Sequence, residues 1–108
     1  MEKVISVHEA MKICDDDKEF FKELVGLMRE DLKECLDILP QALSNNDSKQ
    51  MREVAHRIKG QAANMAANDL CKKSKTVEDS SKLGFCTKNE YLQLVLSIKE
   101  FLRCTRDK

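Results

Sequence analysis

One histidine lies in a setting where it could accept a reactive group. The stretch EVAHRIKGQAANMAA contains His56, one of two histidines in the chain, and Gly60 follows four residues later. On a helical wheel the apolar residues of this stretch share one side, and His56 lies about 140° away from them. The imidazole is therefore expected on the outer surface, where it is largely neutral and one ring nitrogen is free as a nucleophile.

The residues that share the side of His56 suit the transfer of an anionic group. Arg52 lies one turn earlier and Lys59 lies just beyond, and both cations would stabilise an anionic group brought to the ring, as cations do in phosphoryl transfers. Gly60 and Ala63 are small enough to let a second protein surface approach closely. Glycine within a helix costs about 1 kcal/mol relative to alanine, so Gly60 needs such a reason. A solvated histidine without a role is the alternative interpretation.

Motifs typical of other chemistry are absent from the sequence. It has no glycine-rich phosphate loop, no acidic cluster suited to Mg²⁺ and no Ser/His/Asp order typical of a triad. The five cysteines are too widely spaced for a zinc site and are expected to be reduced thiols. Cys35 and Cys71 fall on apolar faces and are predicted to be core residues, whereas Cys86 could be exposed in a loop.

Helical periodicity extends through most of the chain. Long amphipathic segments are predicted to end near residues 43, 66 and 83, and a last one begins after Thr87. Ser6 with Glu9, and Thr87 with Glu90, have capping-box spacing. No segment alternates as a strand does. The fold class predicted is therefore all-α, an antiparallel four-helix bundle with a short extra N-terminal helix.

Length and charge limit the possible partners. The 108 residues are enough for one compact domain, taken as residues 1–108. Nineteen basic residues balance nineteen acidic ones, which argues against nucleic acid or a membrane surface as the main partner. No segment approaches the ~18 apolar residues of a membrane span, and the start lacks a signal peptide's apolar core. A cytoplasmic, free-standing protein is expected.

The histidine stretch resembles a known signature. AHRIKGQAANMAANDL is similar to the pattern A-H-x-[LI]-K-G-x-x-x-x-x-G of histidine-containing phosphotransfer (Hpt) domains. The matching residues are Ala55, His56, Ile58, Lys59 and Gly60, followed by a run of small residues. The resemblance covers residues 15–83 well, including a long helix upstream, and extends to the last helix only by pattern.

This resemblance implies a phosphorelay intermediate. His56 would accept a phosphoryl group on Nε2 from a receiver-domain aspartate and pass it to another receiver domain. The partners implied are receiver domains of a hybrid histidine kinase and of a response regulator. The chain itself is expected to be a monomer. Such domains have no kinase or phosphatase activity and no cofactor of their own, and the receiver supplies Mg²⁺. Lys59 would support the phosphoryl group, and Gly60 would be the gap that admits the receiver. A helical adaptor that docks through the same face without carrying phosphate is the alternative.

Two positions depart from the family pattern. The family often has glycine where this chain has Ala66, and many members have glutamine where it has Glu78, twenty-two residues past His56. A carboxylate there could orient the Nδ1–H of the ring and make it more nucleophilic, although it would repel phosphate. Receiver docking is expected on the first short helix, where Met11 and Ile13 are candidate contacts, on the helix of His56 and on the long helix before it.

Overall fold

Five helices build the described part of the protein. The computed structural model describes residues 3–106, and within this range it contains helices and no strand. The helices are α1 (Val7–Ile13), α2 (Lys18–Ser44), α3 (Ser48–Asn64), α4 (Asn68–Lys82) and α5 (Lys88–Thr105). The prediction of an all-α fold with a short extra N-terminal helix is confirmed. None of the helices in residues 3–106 is both long and apolar enough to cross a membrane.

Side-chain caps begin three of the long helices. The carboxylates of Asp17 and Asp47 each accept a hydrogen bond from the backbone N–H three residues later, at 3.0 Å. Thr87 and Glu90 form the predicted capping box, because each side chain accepts the other residue's backbone N–H. These local bonds set where α2, α3 and α5 start.

The capping box predicted at Ser6 is wrong. Ser6 is the N-cap of α1, but its side chain makes no capping hydrogen bond. A capping box needs the Ser6 N–H to be accepted by Glu9. That N–H is instead donated to the carbonyl oxygen of Ala66 at 2.9 Å. A contact sixty residues away in sequence therefore replaces the local one and joins the start of α1 to the end of α3.

The connection between α3 and α4 begins two residues before the helix end predicted near residue 66. Helix α3 ends at Asn64, and Ala66 adopts the left-handed conformation with φ +53°. Glycine adopts this conformation more easily than alanine does. The departure from the family's glycine therefore falls on a position with a backbone requirement, and a buried alanine meets it.

The four long helices enclose one apolar core. Helix α3 packs most extensively on α4 and also on α2, while α5 packs on both α4 and α2. The largest fully buried side chains include Val25, Leu32, Leu39, Met51, Ile58, Val77, Leu94, Ile98 and Phe101. Burying these apolar side chains on both sides of α3 turns its remaining side towards solvent.

The cysteines pack mostly as small apolar residues. Cys35 is fully buried as predicted, and Cys71 is partly buried against the core. Cys86, which the sequence left open to exposure, is buried, since the loop before α5 folds this residue into the core. Burial raises the pKa of the Cys86 thiol, which keeps it protonated and poorly reactive.

Candidate functional site

Helix α3 presents His56 to solvent. Its buried residues all lie on the opposite side, and these are Met51, Val54, Ala55, Ile58 and Ala62. The side chain of His56 is 69% exposed. The position predicted from the helical wheel is therefore confirmed, and the imidazole is accessible to a partner.

Glu78 of α4 joins His56 to Lys59. Its Oε2 lies 2.6 Å from Nδ1 of His56, and its Oε1 lies 2.6 Å from Nζ of Lys59. The Glu78 side chain is only 5% exposed, although the ring it contacts is mostly in solvent. One buried carboxylate thus fixes both the imidazole and the neighbouring cation from the same side.

This geometry determines where the ring proton resides. The hydrogen bond from Lys59 holds the pKa of Glu78 below its usual value, against the opposing effect of burial, and the bond with His56 lowers it further. The ionised carboxylate can only accept hydrogen bonds. A neutral His56 must therefore carry its proton on Nδ1, and the lone pair is on Nε2.

The small residues beside the histidine leave open space. Gly60 and Ala63 are both exposed on α3. A Cβ built on Gly60 would meet no atom within 4 Å, so packing inside the chain does not require glycine here. Arg52 is half-buried one turn before His56. It does not share the carboxylate of Glu78, which bonds His56 and Lys59.

A second polar cluster lies on the other flank of α3. Asp31 of α2 accepts hydrogen bonds from Arg57, one of them from Nε at 3.0 Å, and from the side-chain amide of Gln61. Burial raises the pKa of Asp31, but the bonds from Arg57 and Gln61 outweigh it and the net pKa is lowered. Arg57 also lies 3.5 Å from Glu34.

Sequence analysis missed this cluster. The signal in the sequence is the position of Asp31 among the apolar residues of α2. A carboxylate at such a position needs a polar partner, because buried polar groups are normally hydrogen-bonded. The partner could not be identified from periodicity, because it depends on which turns of α2 and α3 meet.

An apolar hollow lies between α2 and α3 beside this cluster. It has a volume of about 210 Å³ and is lined by Leu24, Leu27, Met28, Gln61, Asn64 and Met65. Leu27 is 68% exposed at its edge. Of the two docking residues predicted on α1, Ile13 is 52% exposed, whereas Met11 is half-buried and packs against the core.

The candidate site contains one exposed imidazole, paired at Nδ1 with a carboxylate. Across residues 3–106, no group of three or more His, Cys, Asp or Glu side chains could hold a metal ion. The other histidine, His8, is exposed on α1 and apart from the paired residues of α3 and α4. The accessible imidazole, its buried carboxylate and the adjacent cation form the candidate site.

One protein-family model matches most of the chain. The model described as Hpt domain matches residues 23–98, which include α3, α4 and most of α2 and α5. Neither the curated proteins nor the solved structures compared with the chain contain a match.

Proposed function

The chain belongs to the Hpt domain family, whose members carry phosphoryl groups on histidine in two-component signalling, and we propose that His56 is its phosphoacceptor. In this proposal a receiver-domain aspartate donates the group to His56, and a second receiver domain then accepts it. The observation that supports it best is the bond between Glu78 and Nδ1, since it leaves the lone pair on Nε2 of an exposed ring.

The transfer step conserves every proton in the site. Nε2 of His56 attacks the phosphorus of the aspartyl phosphate, an N–P bond forms, and the P–O bond to the aspartyl carboxylate breaks. The proton stays on Nδ1, so positive charge develops on the ring. The ionised Glu78 stabilises this charge at 2.6 Å. Attack by the next receiver's aspartate on the same phosphorus reverses the step and regenerates the neutral ring.

Lys59 offsets the cost of placing a carboxylate near a phosphoryl group. Its ammonium lies 2.6 Å from the ionised Glu78 and balances the negative charge. The Lys59 side chain is also 30% exposed, so the ammonium can interact with an incoming anion. Arg52 is proposed as a weaker contributor from one turn away. The chain provides no kinase or phosphatase chemistry, and the receiver provides Mg²⁺ with its own acidic residues.

Docking is proposed over the outer side of α3. Gly60 and Ala63 let the receiver approach the ring, and the exposed Ile13 and Leu27 offer apolar contacts beside it. Short connections favour an antiparallel arrangement of the four long helices. We expect a monomer acting in the cytoplasm, where the free thiols stay reduced.

A direct labelling experiment tests this function. A phosphorylated receiver domain is expected to transfer acid-labile, alkali-stable phosphate to the protein. The variant His56→Gln should lose the label while keeping its helical circular dichroism, and the control His8→Gln should retain it. Label that persists in His56→Gln would refute the proposal. Receiver binding without any label would instead support the adaptor function.

A further inference from the structure

The two grooves that flank α3 differ in charge. We name the side towards α4 the cationic edge and the side towards α2 the acidic edge. The cationic edge consists of Arg52, Lys59, Lys75 and Lys82. The acidic edge consists of Glu23, Glu30 and Glu34 on α2 and Glu53 on α3. His56 adjoins the cationic edge, and Gly60 lies between the two.

The cationic edge lies beside the reactive ring. Arg52 lies one turn before His56 on α3, while Lys75 and Lys82 lie about one turn on either side of Glu78 on α4. The Lys75 side chain is 63% exposed, although it pairs with Asp79 at 2.8 Å. Glu78 is buried and already bonded to Lys59, so the exposed charge of this groove is predominantly positive.

The acidic edge borders the apolar hollow between α2 and α3. Glu23, Glu30 and Glu34 lie four residues before, three after and seven after Leu27, and therefore on its side of α2. Glu30 and Glu34 are 76% and 63% exposed, although Glu30 pairs with Lys33 at 3.5 Å. Arg57 is the nearby cation on α3, but Asp31 and Glu34 already bind it.

We propose that this polarity orients the receiver domain in a single way across α3. Its anionic phosphorylation site lies over the cationic edge, and an apolar surface bordered by basic side chains fills the hollow beside the acidic edge. The inference rests on the proposed function, because that function makes a receiver the occupant of this face. It adds the chemistry by which a suitable receiver is distinguished from an unsuitable one.

Electrostatics favours this orientation over its reverse. An aspartyl phosphate with its acidic metal ligands is attracted by Arg52 and Lys75 and repelled by Glu23 and Glu34. The two edges are about one helix diameter apart, ~10 Å, which is similar to the screening length at 0.1 M salt. Each edge therefore acts on a different part of the docked surface. Like charges brought together on docking would disfavour a receiver with an acidic rim.

Charge reversal on the acidic edge tests the orientation. Glu23→Lys and Glu53→Lys are each expected to raise the Kd for a transfer-competent receiver about three- to tenfold at low salt. The effect should shrink at 0.5 M salt, because it is electrostatic. Asn89→Lys combined with Gln93→Lys on α5 makes the same net charge change as Glu23→Lys and should leave the Kd unaltered.

The outcomes separate this inference from the proposed function. If the receiver labels His56 normally and Glu23→Lys and Glu53→Lys both bind it as the unchanged chain does, the orientation is wrong while the function stands. Dimers of the chain that dissociate in Glu23→Lys would also overturn it, because a second copy would then occupy the hollow. Absence of label on His56 from every receiver would contradict the function itself.

Discussion

At the scale of single residues, the site depends on one carboxylate in an unusual place. Glu78 is nearly inaccessible, yet it bonds a ring that is mostly in solvent. The contact places the proton on Nδ1 and leaves Nε2 as the only neutral nitrogen able to attack. Many Hpt domains have glutamine at this position, and an amide could orient the ring without contributing charge. The difference between orientation and charge can therefore be measured here.

Glu78→Gln is expected to slow phosphoryl transfer to His56 about tenfold, since the developing ring charge keeps only a neutral hydrogen bond worth ~0.5–1.5 kcal/mol in place of a charge-assisted one worth ~1.5–3 kcal/mol. Rapid-quench single-turnover kinetics with a phosphorylated receiver measure this rate. Asp69→Asn is the matched control, because it removes an exposed carboxylate of the same helix that pairs with Lys73, outside the cationic edge. If transfer rate and phosphohistidine lifetime are both unchanged in Glu78→Gln, the carboxylate has no part in the chemistry.

Gly60→Ala is expected to stabilise the domain by up to about 1 kcal/mol while slowing transfer. Open space around the position allows the new methyl group within the chain, but the group would lie between the two docked surfaces. Gly26→Ala is the control, since Gly26 is also within a helix and its added Cβ would also meet no atom within 4 Å. Urea unfolding and transfer rates should separate the two variants. Equal transfer rates in both would remove the steric explanation for Gly60.

At the scale of helices, a polar bridge fixes α3 against α2. Asp31 receives hydrogen bonds from Arg57 and Gln61, which directly follow His56 and Gly60 in the chain. The bridge therefore limits rotation of the helix segment that carries the reactive ring. The bridge lies in the groove towards α2, beside the acidic edge, and contributes little free charge there.

Removing this bridge should destabilise the fold. Asp31→Asn is expected to lower the free energy of unfolding by about 1–2 kcal/mol, because a partly buried, charge-assisted pair loses one partner. Urea denaturation measures the loss. The exchanged pair Asp31→Arg with Arg57→Asp should recover part of it. Asp31 also accepts hydrogen bonds from Gln61 and, at 3.8 Å, from the Cys35 thiol. No recovery in the double variant would indicate that these bonds, rather than the ion pair, determine the role of Asp31.

At the scale of the whole molecule, four long helices around one core carry both the site and its docking face. The His56 side of α3 is free because its other sides are buried against α2 and α4. Two ionised carboxylates, Asp31 and Glu78, join these same helices. Stability of the bundle and geometry of the site therefore share a dependence on pH.

Acid is expected to unfold the protein through these carboxylates. Both pKa values are lower in the folded chain, so each group contributes stability that is fully present above its ordinary range near ~4. That contribution is lost as the pH falls through the folded pKa. Thermal melts between pH 7 and 3 should show Tm falling at the acid end. The variant with both Asp31→Asn and Glu78→Gln should show a flatter profile, and an equally steep profile would assign acid sensitivity to other groups.

The amino-acid sequence by itself determined the helices, the outward position of His56 and its resemblance to phosphotransfer domains. Apolar spacing repeats within each helix, so which side is buried is a local property that periodicity records. Tertiary structure alone decided which groups meet across helices. The Asp31–Arg57 bridge, the capture of the Ser6 N–H by Ala66 and the burial of Cys86 each depend on packing between distant segments. The Glu78 contact combines the two: the sequence placed a carboxylate on a flank that could face His56, and helix packing brought it within hydrogen-bonding distance of Nδ1 and Lys59.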